Sequence, residues 1–337
     1  MLDKLVKILG LALTFTIAGC GGASESFAGI DAGGTPAPSA VVSKGTISGF
    51  GSVIVNGVRY DTASAAISVE GSPATQSDLK VGHVVIVHGT LNTDSITGSA
   101  TSISFEDLVE GPVGAIDLVA GTITVLSQLV IIDADTSFDD TISPASIEGL
   151  ALDDVVEVSG FFLADGSINA TRIEKKPAGG EFEVTGRVSN LSGTTFQIND
   201  LVVAFSAAQL DNFPAGAPED GQLVEAKGVS LGAGGELLAT RVEFKGNDLI
   251  ADEGDRIEIE GFITRFESAV DFDVAGVPVT TNGSTVYVNG SEATLDLNRK
   301  VEVEGTLDAA GVVVATEVEF KLANIIRIEG LVDAVSG

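Results

Sequence analysis

Imidazole and thiol chemistry are confined to three residues of this 337-residue chain: His83, His88 and Cys20. The two histidines lie five apart in one valine-rich segment. On a strand they face opposite sides, so they cannot chelate one ion together. No G-x-S-x-G elbow, phosphate-binding P-loop or H-E-x-x-H pair occurs. Gly49-Phe50-Gly51 begins like a dinucleotide loop, but Ile54 stands where the third glycine is needed, and a hairpin explains these glycines better. Carboxylates are plentiful, with 48 Asp and Glu. The densest cluster is Asp133, Asp135, Asp139 and Asp140. As a calcium loop it fails at two places: Phe138 sits where the sharp turn requires Gly, and Pro144 where a bidentate Glu belongs. These four remain weak metal candidates, and no metal or cofactor is expected. A second acidic group, Asp248, Asp252, Glu253 and Asp255, reads as a charged linker. Nothing singles out a carboxylate pair with the separation that glycoside hydrolysis demands. No catalytic residue is assigned, and the chain reads as a non-enzyme.

The 48 acidic residues face only 18 Lys and Arg, a net charge of −30. That balance, with no Trp, excludes nucleic acid as a partner, because phosphate and base recognition need clustered cations and stacking aromatics. A mean hydropathy of +0.35 provides enough apolar surface for packed cores. One Cys excludes an internal disulfide.

The N-terminus explains that Cys. Lys4 and Lys7 precede an apolar run from Ile8 to Ala18, too short to span a bilayer but of signal-peptide length. Ile17-Ala18-Gly19-Cys20 then resembles the lipobox of bacterial lipoproteins, with Ile17 where Leu is commoner. The resemblance implies cleavage before Cys20, lipidation of its thiol and anchoring in a membrane. Gly21 in place of Asp implies, for a Gram-negative cell, the outer membrane. Residues 21–43 are rich in Gly, Ala, Ser and Pro and read as a flexible tether.

Beyond the tether the chain repeats itself. A glycine opens a strand at Gly45, Gly111, Gly186, Gly261 and Gly330. A second glycine closes a valine-rich strand at Gly89, Gly160, Gly228 and Gly305. An alanine follows the closing glycine by 10 or 11 residues, at Ala100, Ala170, Ala239 and Ala315. Three columns in one order define tandem modules. Their boundaries are 44–109, 110–180, 181–253 and 254–323, after a signal peptide (1–19) and a lipidated tether (20–43). Residues 324–337 read as one strand of a partial fifth module.

Inside a module apolar residues alternate with polar ones, as in Ile257, Ile259 and Gly261 against Glu258 and Glu260. Period two marks strands with one buried face and one in water. Asn56-Gly57, Asn199-Asp200 and Ala275-Gly276 mark hairpins. A short helix or loop is expected around Ala207–Leu210 and Glu292–Leu295. The order, three strands, a short helix or loop and two strands, predicts an all-β chain: a tandem array of four small OB-like barrels. The His83 column holds Asp154, Gln222 and Arg299 in the other modules, and the His88 column holds Ser159, Lys227 and Glu304. Both columns, like the strand glutamates, read as solvent positions.

Module 1 also resembles a bacterial family catalogued as domain-of-unknown-function family 5666, found as tandem copies in secreted proteins and lipoproteins of Proteobacteria. The residues that carry this are Gly49-Phe50-Gly51-Ser52, Val55-Asn56-Gly57, Asp78-Leu79-Lys80-Val81-Gly82 with Val85 to Gly89, and Ala100-Thr101-Ser102-Ile103. The resemblance extends over roughly residues 44 to 323. Modules 2 to 4 lack the Gly-Phe-Gly and Lys-Val-Gly segments. The family implies a fold but no reaction. The expected function is that of a non-enzymatic lipoprotein of the cell envelope, held by lipidated Cys20, whose modules act as a spacer or interaction scaffold for a protein or glycan partner. The alternative is a ligand-binding lipoprotein in which one module takes a glycan or Ca²⁺. An enzyme acting on envelope polymers is a distant third.

Overall fold

The structure, a computed structural model, describes residues 39–246 and 249–321. Cys20, residues 21–38 of the expected tether and the single strand expected after residue 323 lie outside them; residues 39–43, read as tether, are instead the start of a strand. Among the described residues no helix is long and apolar enough to cross a membrane.

The chain is all-β, and each module repeats one barrel. The long first strands are Ser39–Gly49, Val109–Asp117, Phe182–Ser192 and Arg256–Ser268. Each pairs antiparallel with the first arm of a hairpin, whose two arms in module 4 are Asp271–Val274 and Val277–Thr280. The last two strands form an antiparallel pair: Val84–Leu91 with Thr97–Phe105, Val155–Phe162 with Ile168–Lys175, Leu223–Leu231 with Leu237–Phe244, and Lys300–Leu307 with Val313–Phe320. The penultimate strand returns to the first, and the last pairs parallel with the hairpin's second arm. The circuit closes in all four modules, so the expected OB-like barrel is what forms, and no long sheet edge remains within it. A short strand also runs parallel to the last one: Ala66–Val69, Ser137–Phe138, Gln209–Asp211 and Val286–Val288. It takes the place expected for a helix at Gln209-Leu210, whereas Glu292–Thr294 does form one 3₁₀ turn.

The glycine columns have a steric cause. Each closing glycine sits at a register shift between the last two strands. A Cβ on Gly89, Gly160, Gly228 or Gly305 would lie 2.4, 2.3, 2.5 or 2.5 Å from a carbonyl oxygen of the final strand. This is a β-bulge repeated four times, and only glycine admits the approach. Seven residues earlier, Gly82, Asp153, Gly221 and Asn298 all have positive φ. Three residue types fill that turn because Gly, Asp and Asn each tolerate the left-handed region.

Barrel interiors follow the alternation. In module 4, Ile257, Ile259, Ile263, Phe272, Val301, Val303 and Val318 are fully buried. The outward faces do not follow it. The first strands of modules 1 and 4 pair in parallel from Val41↔Arg256 to Lys44↔Ile259, which joins the first and last barrels in one sheet. Those of modules 2 and 3 pair antiparallel at Val184↔Val109 and Glu183↔Glu110, and the two cores merge. Modules 1 and 2 dock through Gly82: its carbonyl accepts the Thr171 hydroxyl at 2.6 Å, and a Cβ there would lie 2.7 Å from the Thr171 carbonyl. The Asn298 side chain accepts the Ala164 N–H at 2.8 Å, linking modules 4 and 2. The sequence suggests barrels in a row. Pairing between first strands and the contacts at Gly82 and Asn298 gather them instead into one body, because the outward face of a first strand is covered by another module rather than by water.

Candidate functional site

Three lysines sit in a fourth column, three residues beyond the repeated aliphatic position of the last strand: Lys176, Lys245 and Lys321, with Glu106 in module 1. Each lysine meets the glutamate three residues before the closing glycine. The distances are 2.5 Å for Lys176–Glu157, 3.2 Å for Lys245–Glu225 and 2.7 Å for Lys321–Glu302. These glutamates are 4%, 3% and 9% exposed, so the solvent reading of the strand glutamates is corrected. Their carboxylates lie on the outer face of a barrel, but neighbouring strands and modules cover that face. In module 1 the glutamate is replaced by Ile86, and Glu106 reaches across to Lys245 of module 3 at 2.9 Å. The repeated lysine spacing is the signal from which the pairs could have been read.

The pairs converge where modules 1, 2 and 3 meet. Lys227 stands 2.5 Å from Glu183, 3.3 Å from Glu70 and 3.6 Å from Glu225. Burial works against the charge of Lys227, but Glu183, Glu225 and Glu70 outweigh it and hold the ammonium protonated. Beside this group are Asp107, Glu110 and Glu157, whose ligand-competent oxygens lie within 4.8 Å of one another. Asp107 is 2% exposed; its N–H donates to Glu70 at 2.8 Å, yet neither carboxylate oxygen has a hydrogen-bond partner among the described residues. Burial, then Glu70, Glu157 and Glu110, push its carboxyl well above the usual range. Burial and the neighbouring carboxylates raise Glu183 to about 12, and burial raises Glu157 to about 7. Glu110 and Glu183 are also direct cross-strand partners, an arrangement that like charges disfavour. A cleft of about 380 Å³, reached from all four modules, opens beside the group and is lined by Asp107, Thr185 and Lys245.

The sequence-derived residues fall elsewhere. Asp133 accepts the N–H of Asp135 at 2.9 Å and the Asn169 amide at 2.9 Å, and Asp139 accepts the N–H of Thr141. They are turn-forming side chains. Among the described residues, no group of three or more ligand-competent side chains within 4.8 Å includes Asp133, Asp135, Asp139 or Asp140. His83 corrects the solvent reading of its column. It is 2% exposed, stacked on Phe105 with ring centroids 3.7 Å apart, and 3.5 Å from Glu174 of module 2. Its counterparts Asp154 and Gln222 are half-buried and Arg299 is exposed, so the column is covered only where module 2 docks. Its Nδ1 accepts the Lys80 N–H at 3.3 Å, which leaves the proton on Nε2, facing Glu174. Burial holds the imidazole below its ordinary value, against the pull of Glu174. Burial opposes ionisation of Glu174, but the His83 N–H and Arg172 bring it down to about 2.

Among the described residues the arrangement offers an excess of buried carboxyl groups, pinned by a few lysines at a junction of barrels.

No curated protein matches the chain. The solved structure described as drosophila Unr CSD456 shares 15% identity over 65% of this chain and 98% of that one, with a TM-score of 0.16, too low to carry an argument. The sequence profile described as Domain of unknown function (DUF5666) matches residues 41–104, 110–174, 185–243 and 260–319, one match for each barrel. The chain belongs to the DUF5666 family and is built from four tandem copies of its domain.

Proposed function

We propose that this chain is a non-enzymatic lipoprotein of the bacterial cell envelope, anchored through lipidated Cys20, whose four barrels present one body as an interaction scaffold. The observation that supports a scaffold most is where the charged side chains are spent. Glu157, Glu225 and Glu302 pair with Lys176, Lys245 and Lys321, and others bridge modules, as Lys227 does to Glu70. Ion pairs of this kind hold geometry, since removing one partner of a buried pair costs about 3–5 kcal/mol. The pairing of the first strands of modules 1 and 4 favours a gathered scaffold over an extended spacer. The lipobox and tether supply the anchor, and several acyl chains on one residue would hold it firmly, at about 0.8 kcal/mol per buried methylene. The partner would be an envelope protein or glycan.

Metabolic labelling with a radioactive fatty acid tests the reading. The wild-type chain takes up label and fractionates with outer membranes. The Cys20→Ser chain takes up none and leaves the membrane fraction. Label or membrane partition retained by Cys20→Ser would overturn the anchor. Hydrolysis of purified envelope polymers by the chain would overturn the non-enzymatic reading.

A further inference from the structure

Three groups of side chains among the described residues bring three or more ligand-competent atoms within 4.8 Å of one another. The first, His83, Glu157 and Glu174, is closed to a metal. The Lys80 N–H occupies Nδ1, so Nε2 keeps its proton, and Arg172 holds Glu174 at 2.5 Å. The second, Glu70, Glu183 and Glu225, already contains a cation, the Lys227 ammonium within 3.6 Å of all three.

The third is different. Asp107, Glu110 and Glu157 come from the end of module 1, the first strand of module 2 and its penultimate strand. Lys176 reaches Glu157, but among the described residues no basic side chain lies within salt-bridge distance of Asp107 or Glu110. Asp107 is 98% buried with both oxygens unpartnered. A buried carboxylate without donors is among the costliest arrangements in a protein. Around the junction six carboxyl groups (Glu70, Asp107, Glu110, Glu157, Glu183, Glu225) share three ammonium groups (Lys176, Lys227, Lys245), so those without a lysine must hold a proton or meet another cation. Asp107 is also one of the residues that line the cleft.

The geometry points to a site for a hard divalent cation such as Ca²⁺ at Asp107, Glu110 and Glu157, joining the end of module 1 to module 2 beside module 3. The donors are all carboxylate oxygens, the set preferred by hard cations. The ion would replace protons as the counter-charge of the cluster and bridge two barrels by bonds that neither makes alone. The inference does not depend on the lipid anchor, and failure of either leaves the other standing.

Calorimetric titration of the purified, chelator-stripped full chain with calcium chloride tests it. The expected result is one saturable site with a Kd below about 1 mM, the range of extracellular calcium modules. Asp107→Asn, nearly isosteric, should weaken that site at least tenfold. Glu110→Gln should do the same, and serves should the first variant not fold. Asp135→Asn, on an exposed turn, should leave it unchanged. No saturable heat up to 10 mM CaCl₂, wild-type binding by both site variants, or equal weakening by Asp135→Asn would overturn the site.

Discussion

Glu258 gives the most quantitative test of the interface between modules 1 and 4. It lies opposite Ser43 in the parallel pairing of the two first strands and is 1% exposed. Its charged neighbours are Arg256, with Nε at 3.2 Å, and the carboxylates Glu304 and Glu302. Burial is the largest influence and, against the attraction of Arg256, raises the carboxyl from 4.5 to about 7. The folded chain therefore binds a proton between pH 4.5 and 7 that the unfolded chain does not. Stability contributed by this group is present at low pH and is lost as pH rises through 7. Between pH 5.5 and pH 8 the loss is about 2 kcal/mol. For a body of this size unfolding as one unit, that corresponds to roughly 3–4 °C in melting temperature. Glu302, also raised to about 7 by burial, adds a loss of the same sign. Carboxylates held low, such as Glu174, lose their contribution only below about 4.5 and do not enter this window. Glu258→Gln removes the titrating charge, while Arg256 keeps Glu304 at 2.6 Å. Thermal unfolding of both chains at pH 5.5 and pH 8 should show wild type melting lower at pH 8. The variant should recover roughly 3–4 °C of that difference relative to wild type. Parallel shifts in the two chains, or a wild type more stable at pH 8, would refute the assignment of a buried, reluctantly ionised Glu258.

Two further outcomes follow from the geometry. Gly160→Ala places a Cβ 2.3 Å from the Asn169 carbonyl oxygen at the bulge of module 2. It should destabilise the body by roughly 2–4 kcal/mol, of the order of overpacking with backbone strain, whereas an unchanged urea midpoint would refute the bulge. His83, buried against Phe105, should show an NMR titration midpoint below 6.5, and a midpoint above it would mean that Glu174 outweighs burial and would refute the buried, neutral imidazole.

Within each barrel the sequence is highly informative. Alternating valines and isoleucines mark inward residues, and closing glycines mark bulges, because both depend on contacts inside one repeated unit. The junction was less legible. Period two says which face of a strand is opposite the barrel core, not what covers that face. Glu157, Glu225 and Glu258 thus look like solvated residues although three of the four barrels bury such a side chain between strands or modules. His83 shows the same limit: one module's docking surface occupies a column that is open elsewhere. Only the lysine column carried a trace of the interface, since Lys176, Lys245 and Lys321 recur at one offset in a chain with few basic residues.

The central claim is that four tandem domains make one body: first strands pair the first with the fourth and the second with the third, and contacts such as Thr171–Gly82 and Ala164–Asn298 join the two pairs. Small-angle X-ray scattering of the chain expressed without residues 1–19 and with Cys20→Ser measures this directly. A single compact body of this length has a radius of gyration of about 20 Å. Four barrels in a row, each of about 11 Å radius of gyration, would give roughly 30 Å or more. A value near the first is predicted, and a value near the second would contradict the account.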